Sequence, residues 1–494
     1  MKVRLPYLIQ DRSVAMTKGF EPTENFYWNQ EQINDTGTDT GHREVFLDGP
    51  ISSRVAILDF NEKTGELEAP VKLLTDGDTQ FYDIDATDIS ARSTQAVSTF
   101  STVMKTLQAF ESPDILGRPI KWTSPGTQLL VVPFAGDWAN AFYERESASL
   151  QFFSFKDDAG ETIHSSQSFD IVAHETGHAI LDSVVPGLYD TITPESLALH
   201  EAIADVTALI MAISSTQLLK TLLSQTNNTI SGKNAFTSIA EEFGKARGGA
   251  SGDPYLRTLD NKFTMDDVDS TNAHDLSQVL SGTLFGFLSD IFEERKGKSN
   301  DGDINPETIG KSLFFANQIF RRLAFRALDY LPPGEISFAD YGRAIWAADR
   351  SSNPDSPEYR EALAAAFVNR KIIDAASELN TDLPDSTVVD ELDIEALTDS
   401  DWLAYDFVNK NRDLLHIPNE VTNFQVLPRL PVTKITYRTG QGQVHYSELL
   451  FKVRWETTED NPVDGLPARR GIVFGTTLAI KKDEDANKNK TQPS

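Results

Sequence analysis

The stretch Phe169-Asp170-Ile171-Val172-Ala173-His174-Glu175-Thr176-Gly177-His178 decides how this chain is read. From Phe169 the apolar period is helical, and a four-residue step turns a helix by about 400°. His174 and His178 therefore lie on one face and can share a metal ion, with Glu175 beside that face, placed to take a proton from a metal-activated water. Seen in isolation, the pattern also fits two histidines on a half-buried helix.

The next helix bears on that alternative. Thr193-Pro194-Glu195 supplies a capping residue and then Pro at the first helical position, opening a helix that runs to about Ser214. Within it, His200-Glu201-Ala202-Ile203-Ala204-Asp205 sets Glu201 and Asp205 four apart on one face. A catalytic zinc takes three protein ligands and keeps one position for water, and Glu201 is the expected third ligand. Asp205, one turn on, can accept the other N–H of a ligand imidazole and fix its tautomer. By themselves a Glu and an Asp at this spacing are an ordinary helix face.

Outward from this centre the chain changes character. Residues before about 165 read mainly as strands and turns. Ser53–Phe60, turn residues Asn61–Gly65 and Leu67–Leu74 together suggest a hairpin. One helix stands out there, with Val97, Phe100, Met104 and Leu107 on a single face. Beyond the metal motif, helices fit Leu276–Glu294, Glu307–Leu331, Phe338–Ala348 and Pro357–Asn369. Asp374–Asp401 holds ten acidic residues and no basic one, which reads as an exposed connector or solvated face. Lys434–Arg438 and Val444–Trp455 alternate like a hairpin around Gly440-Gln441-Gly442, and Lys481–Ser494 reads as a polar, disordered tail. The expected division is a β-rich N-terminal lobe (1–165), a metal-binding α-helical lobe (166–372), and a C-terminal segment (373–494) of connector, β-containing module and tail.

Composition removes several functions. The 494 residues carry 45 Lys and Arg against 74 Asp and Glu, a net charge of −29. That surface repels phosphate backbones and anionic lipid, so nucleic-acid binding is not expected. The absence of cysteine excludes disulfides, thiolate metal sites and cysteine nucleophiles. No uninterrupted apolar run approaches the ~20 residues of a spanning helix, and the first ten residues lack the apolar core of a signal peptide. Membrane insertion is not expected, and the sequence gives no cellular address.

Taken together, these residues resemble the thermolysin-like zinc metallopeptidases, the gluzincins whose third ligand is a Glu on the following helix. The resemblance covers roughly residues 80–372. Asn140-Ala141-Phe142-Tyr143 is similar to the family's edge segment, in which the Asn side chain and the Ala backbone hold the peptide. Asp170-Ile171-Val172-Ala173 leads into the metal helix as in that family. Tyr189, in Gly187-Leu188-Tyr189, falls where a Tyr steadies the tetrahedral intermediate. Arg257, in Tyr255-Leu256-Arg257-Thr258, matches the Arg that binds a substrate carbonyl. Asp269 and His274 match the Asp–His pair that stabilises the oxyanion. Ile171 and Leu256 fall where the family lines an apolar pocket for the side chain after the cleaved bond. The resemblance implies an α+β, two-lobed thermolysin-like fold with the zinc helix between the lobes, an extra C-terminal β-containing module, and zinc-dependent hydrolysis of internal peptide bonds in peptides or proteins.

Departures are clear too. Ala212 stands where a calcium-binding Glu is expected. Pro306 replaces the Gly that an EF-hand loop would need after Asn300-Asp301-Gly302-Asp303-Ile304-Asn305, so calcium has little support. The metzincin pattern fails at Leu181 and Val184, and the Gly-x-Met-Glu-Asn segment of gluzincin aminopeptidases is absent. Read from the residues alone, each has a plainer alternative: Tyr189 as packing, Arg257 as a surface ion-pair residue and His274 as a helix cap. A zinc-stabilised, non-catalytic scaffold and a hydrolase of another bond remain the competing functions.

Overall fold

The structure, a computed structural model, describes residues 1–9, 22–29, 31–33, 39–61, 63–123, 126–157, 160–232, 234, 237–239, 257–298, 306–353, 357–380, 393–438, 442–460 and 469–482. Helix accounts for 43% and strand for 24%, in several sheets, so the fold class is mixed α and β.

Lys2–Leu8 is an inner strand, antiparallel to Thr23–Asn29 and parallel to Thr79–Tyr82, with Leu73–Asp76 completing a four-stranded sheet. Val3, Leu5 and Tyr7 alternate inward and join Trp28 in the core. They meet helix α1 (Arg92–Glu111), whose Val97, Phe100, Met104 and Leu107 are fully buried, the face expected from their spacing. A six-stranded sheet follows, in the order Ala141–Glu144, Ser149–Phe152, Leu129–Val132, Val55–Ile57, Ile51–Ser52, Phe46–Leu47. Ala141–Glu144 is thus an edge strand. The expected hairpin between Ser53–Phe60 and Leu67–Leu74 is not formed. The two runs touch at an isolated Phe60–Leu67 bridge and then enter different sheets. The Asn61–Gly65 turn chemistry is real, but distant Leu129–Val132 captures the first arm and the adjacent Thr79–Tyr82 the second.

The metal motif lies on α2 (Phe169–Val184), followed by the short turn α3 (Pro186–Tyr189) and by α4 (Pro194–Ile213). Among the described residues α4 is the one helix long and apolar enough to cross a membrane. It lies mostly buried within this fold and carries Glu201 and Asp205. Its N-terminus departs from expectation, because the Thr193 side chain does not cap it. Instead the Glu335 carboxylate accepts from the Ile192 and Thr193 N–H groups (3.0 and 3.2 Å) and from the Thr193 and Ser196 hydroxyls (2.6 and 3.1 Å). A carboxylate there also complements the helix dipole. Helices α5 (Thr216–Gln225), α6 (Ala273–Lys298), α7 (Pro306–Tyr330), α8 (Phe338–Ser352) and α9 (Glu358–Asn369) complete this region. One continuous apolar core joins it to the N-terminal strands.

The C-terminal strands Leu430–Arg438 and Arg469–Lys482 pair with the long central strand Gly442–Asp460. That strand alternates between two neighbours. Leu449, Phe451, Val453 and Trp455 form a second apolar cluster with Ala404, Phe407 and Val408 of the helix Asp401–Lys410. The opposite face meets α7, where the Tyr330 hydroxyl donates to Glu448 (2.5 Å) and Arg326 lies within reach of the Tyr446 hydroxyl (3.3 Å). Buried Asp329 pairs with Lys434 and Arg118, each at 2.7 Å. The Glu335 N–H donates to Val473 O, fastening the loop after α7 to the third strand. The expected acidic connector falls partly on residues 381–392, and most of the expected tail on 483–494, outside the described residues.

Candidate metal centre

Gly177 lets α2 and α4 approach closely. A Cβ there would stand 3.0 Å from Thr207 Oγ1 and 3.2 Å from Ala204 Cα, both on α4. Across that contact His174, His178 and Glu201 converge, with one ligand atom from each lying within 4.8 Å of the others, a group that could hold a metal ion. His174 Nε2 and His178 Nε2 are 3.0 Å apart, and lie 3.7 and 3.6 Å from the two oxygens of Glu201. Asp205, wholly buried, places Oδ1 3.0 Å from His174 Nδ1, as the spacing implied.

Glu175 is buried beside these ligands, and its carboxylate accepts the Tyr143 backbone N–H at 3.0 Å. The edge strand therefore orients Glu175. Residues of an antiparallel strand alternate between facing the partner and facing away. Because the Tyr143 N–H points outward to Glu175, Ala141, two residues earlier in the Ala141–Phe152 and Tyr143–Leu150 register, turns its N–H and C=O to the same open edge. Asn140 directs its carbonyl inward, to the Phe153 N–H and the Ser165 hydroxyl.

The remaining expected residues divide. His274, at the start of α6 and largely exposed, sets Nδ1 3.3 Å from Glu201 Oε2. Asp269 does not occupy that nitrogen. Its carboxylate accepts from the Thr271 N–H and hydroxyl (2.9 and 2.7 Å), contacts that hold it below the usual carboxylate range. The local loop turn has outcompeted the expected Asp–His pair. Tyr189 packs its ring edge-on to His200 and Tyr143, at the margin of the centre, with the Arg145 guanidinium 4.4 Å above it. Burial pushes its hydroxyl pKa up, while a hydrogen bond from the Arg145 backbone opposes this. Ile171 is buried one turn before His174. Arg257 lies on the short strand Arg257–Thr258, paired with Ser238–Ile239, while Leu256 lies outside the described residues, as does the loop 300–305 considered for calcium. Ala212 is buried in the core.

Three contributors, His200, Asp182 and Arg145, escaped the sequence reading. His200 Nδ1 is 2.6 Å from His178 Nδ1, with the rings stacked. Asp182 receives the Tyr143 hydroxyl (2.7 Å) and the Arg145 guanidinium, which also reaches Asp190 (2.7 Å) and Pro186 O (2.5 Å). Asp182 continues the four-residue series His174, His178 and could have been found from it, whereas His200 and Arg145 carry no local signal. No protein-family model matches the chain, and no curated protein does.

Proposed function

We propose that this chain is a zinc metalloendopeptidase with the two-lobed, thermolysin-like arrangement, holding one zinc on His174, His178 and Glu201. The donor spacing carries this reading. Ligand atoms at 2.0–2.2 Å around a tetrahedral zinc stand about 3.3–3.6 Å apart, against 3.0, 3.6 and 3.7 Å here. Two imidazole nitrogens facing each other at 3.0 Å also call for a shared cation or proton between their lone pairs. The fit extends to the neighbour of His174, since Asp205 on Nδ1 leaves Nε2 as the ligating atom.

When bound, zinc supplies a Lewis acid that polarises a carbonyl and acidifies a water molecule. Glu175 takes the proton of the attacking water and returns it to the leaving amine. Its hydrogen bond from Tyr143 fixes Oε2 and with it the direction in which the carboxylate faces. The open backbone edge at Ala141 accepts an extended peptide as an added strand. His274, beside Glu201, donates to the negative charge developing on the carbonyl oxygen. Tyr189 reaches that oxygen by turning from its place against His200, and Arg257 binds a substrate carbonyl. Ile171 and Leu256 favour Leu, Ile, Val or Phe after the cleaved bond.

The deciding experiment combines elemental analysis with cleavage of an unbiased peptide library, with and without chelator. One zinc per chain is expected, and Glu175→Gln should keep it while losing cleavage by several orders of magnitude. Absence of stoichiometric zinc, or near-normal turnover in Glu175→Gln, would overturn the proposal. A dominant preference for Lys, Asp or Glu after the scissile bond would overturn the pocket assignment alone.

A further inference from the structure

His178 and His200 present a constraint that the metal ligands alone do not explain. Their Nδ1 atoms stand 2.6 Å apart, so one must donate and the other accept. His178 turns its Nε2 toward Glu201 and His174, the ligating side. A neutral imidazole with its lone pair on Nε2 carries its hydrogen on Nδ1, so His178 is the donor. His200 must then accept on Nδ1 and carry its own hydrogen on Nε2. That Nε2 is buried without a hydrogen-bond partner among the described residues.

We infer that His200 is a positioning residue that locks His178 in its metal-ligating tautomer by accepting on Nδ1. This rests on the zinc reading proposed above. The two ligand histidines are supported unequally. His174 sets Nδ1 3.0 Å from a buried carboxylate, Asp205, whose charge makes its imidazole a more basic ligand. His178 donates to a neutral ring, which fixes its orientation without adding a second negative charge behind the metal.

The test is zinc affinity, measured by competition with a chromophoric chelator on the full chain, for His200→Leu, His200→Asn and His200→Asp. Circular dichroism and thermal melting of the metal-free proteins report folding. His200→Leu keeps the bulk but loses the acceptor and should bind zinc 10–100-fold more weakly. His200→Asn offers an amide oxygen and should recover most of the loss, and His200→Asp should bind more tightly than His200→Asn. If folded His200→Leu binds zinc within twofold of the parent, or Asn gives no rescue relative to Leu, the inference fails. Should His200→Leu not fold, the Asn and Asp variants decide through their relative order. A parent chain that binds no zinc overturns the metal reading itself, which distinguishes the two failures.

Discussion

Replacing Lys452 by Met should stabilise the protein at neutral pH, although it removes a charge from an ion-pair cluster. Lys452 projects from the face of Gly442–Asp460 that meets the helical region, close to a single carboxylate, Asp329, already paired with Lys434 and Arg118. Burial, reinforced by the two neighbouring cations and only partly offset by Asp329, lowers its pKa from 10.5 to about 8. At 1.36 kcal/mol per unit this corresponds to about 3 kcal/mol, an upper figure because the side chain keeps some solvent contact. The sign follows from proton counting. Between pH 8 and 10.5 the unfolded chain holds this proton and the folded chain does not, so stability rises with pH across that window. Below pH 8 the penalty is present in full. Lys452→Met should therefore be more stable at pH 7 by up to about 3 kcal/mol, and the gap should close as pH approaches 10.5. Lys105, also lowered to about 8 by burial, titrates in the same window but is present in both proteins and cancels. Urea unfolding followed by tryptophan fluorescence at pH 7 and near pH 10 measures the difference. A less stable Lys452→Met at pH 7, or a gap independent of pH, would refute the reasoning.

Gly177→Ala should push α4 from α2 by a few tenths of an ångström and weaken zinc binding on the order of tenfold, as chelator competition would show. Helix propensity favours Ala, so stability of the metal-free protein should not fall in parallel. Asp205→Ala should lower zinc affinity 10–100-fold by releasing His174, read by the same competition. Gly334 has φ +108°, and a Cβ there would lie 2.3 Å from Val473 O, so Gly334→Ala should cost at least about 1–3 kcal/mol in denaturant unfolding.

What the sequence disclosed was mostly local in cause. The helix beginning at Pro194, the one ending before Pro332-Pro333-Gly334, and the shared face of His174 and His178 follow from proline placement and period within a few residues. Glu201 and Asp205 were legible because their four-residue step matches the helix in which they sit. Pairings set by distant segments were not legible. Ser53–Phe60 has the pattern of a hairpin arm, yet its Val55–Ile57 pairs with Leu129–Val132, more than seventy residues on. Asp269 has a local competitor, Thr271, that a five-residue spacing cannot weigh. His200 looks like any polar residue beside a ligand, because its partner stands 22 positions earlier on another helix. Glu335 caps α4 from 139 residues beyond Ser196, a contact no capping rule reads.

The two faces of Gly442–Asp460 also bear on how the chain behaves before it is fully folded. The apolar face, Leu449 to Trp455, is covered by the helix Asp401–Lys410, supplied by chain only a few dozen residues away. The face left to meet the helical region is mostly polar, with Tyr446, Glu448 and Lys452 around the buried Leu450 and opposite Arg326, Asp329 and Tyr330. Joining them closes a loop of roughly a hundred residues, a step that comes late because distant contacts must wait for nearer ones. Until then both surfaces show water mainly polar and charged groups, with Val432 and Leu450 the apolar part of the strand side. The half-assembled molecule is consequently protected against sticking to its neighbours, and the charges buried at Asp329 and Lys434 act as a solubilising skin during the interval before they become an interface.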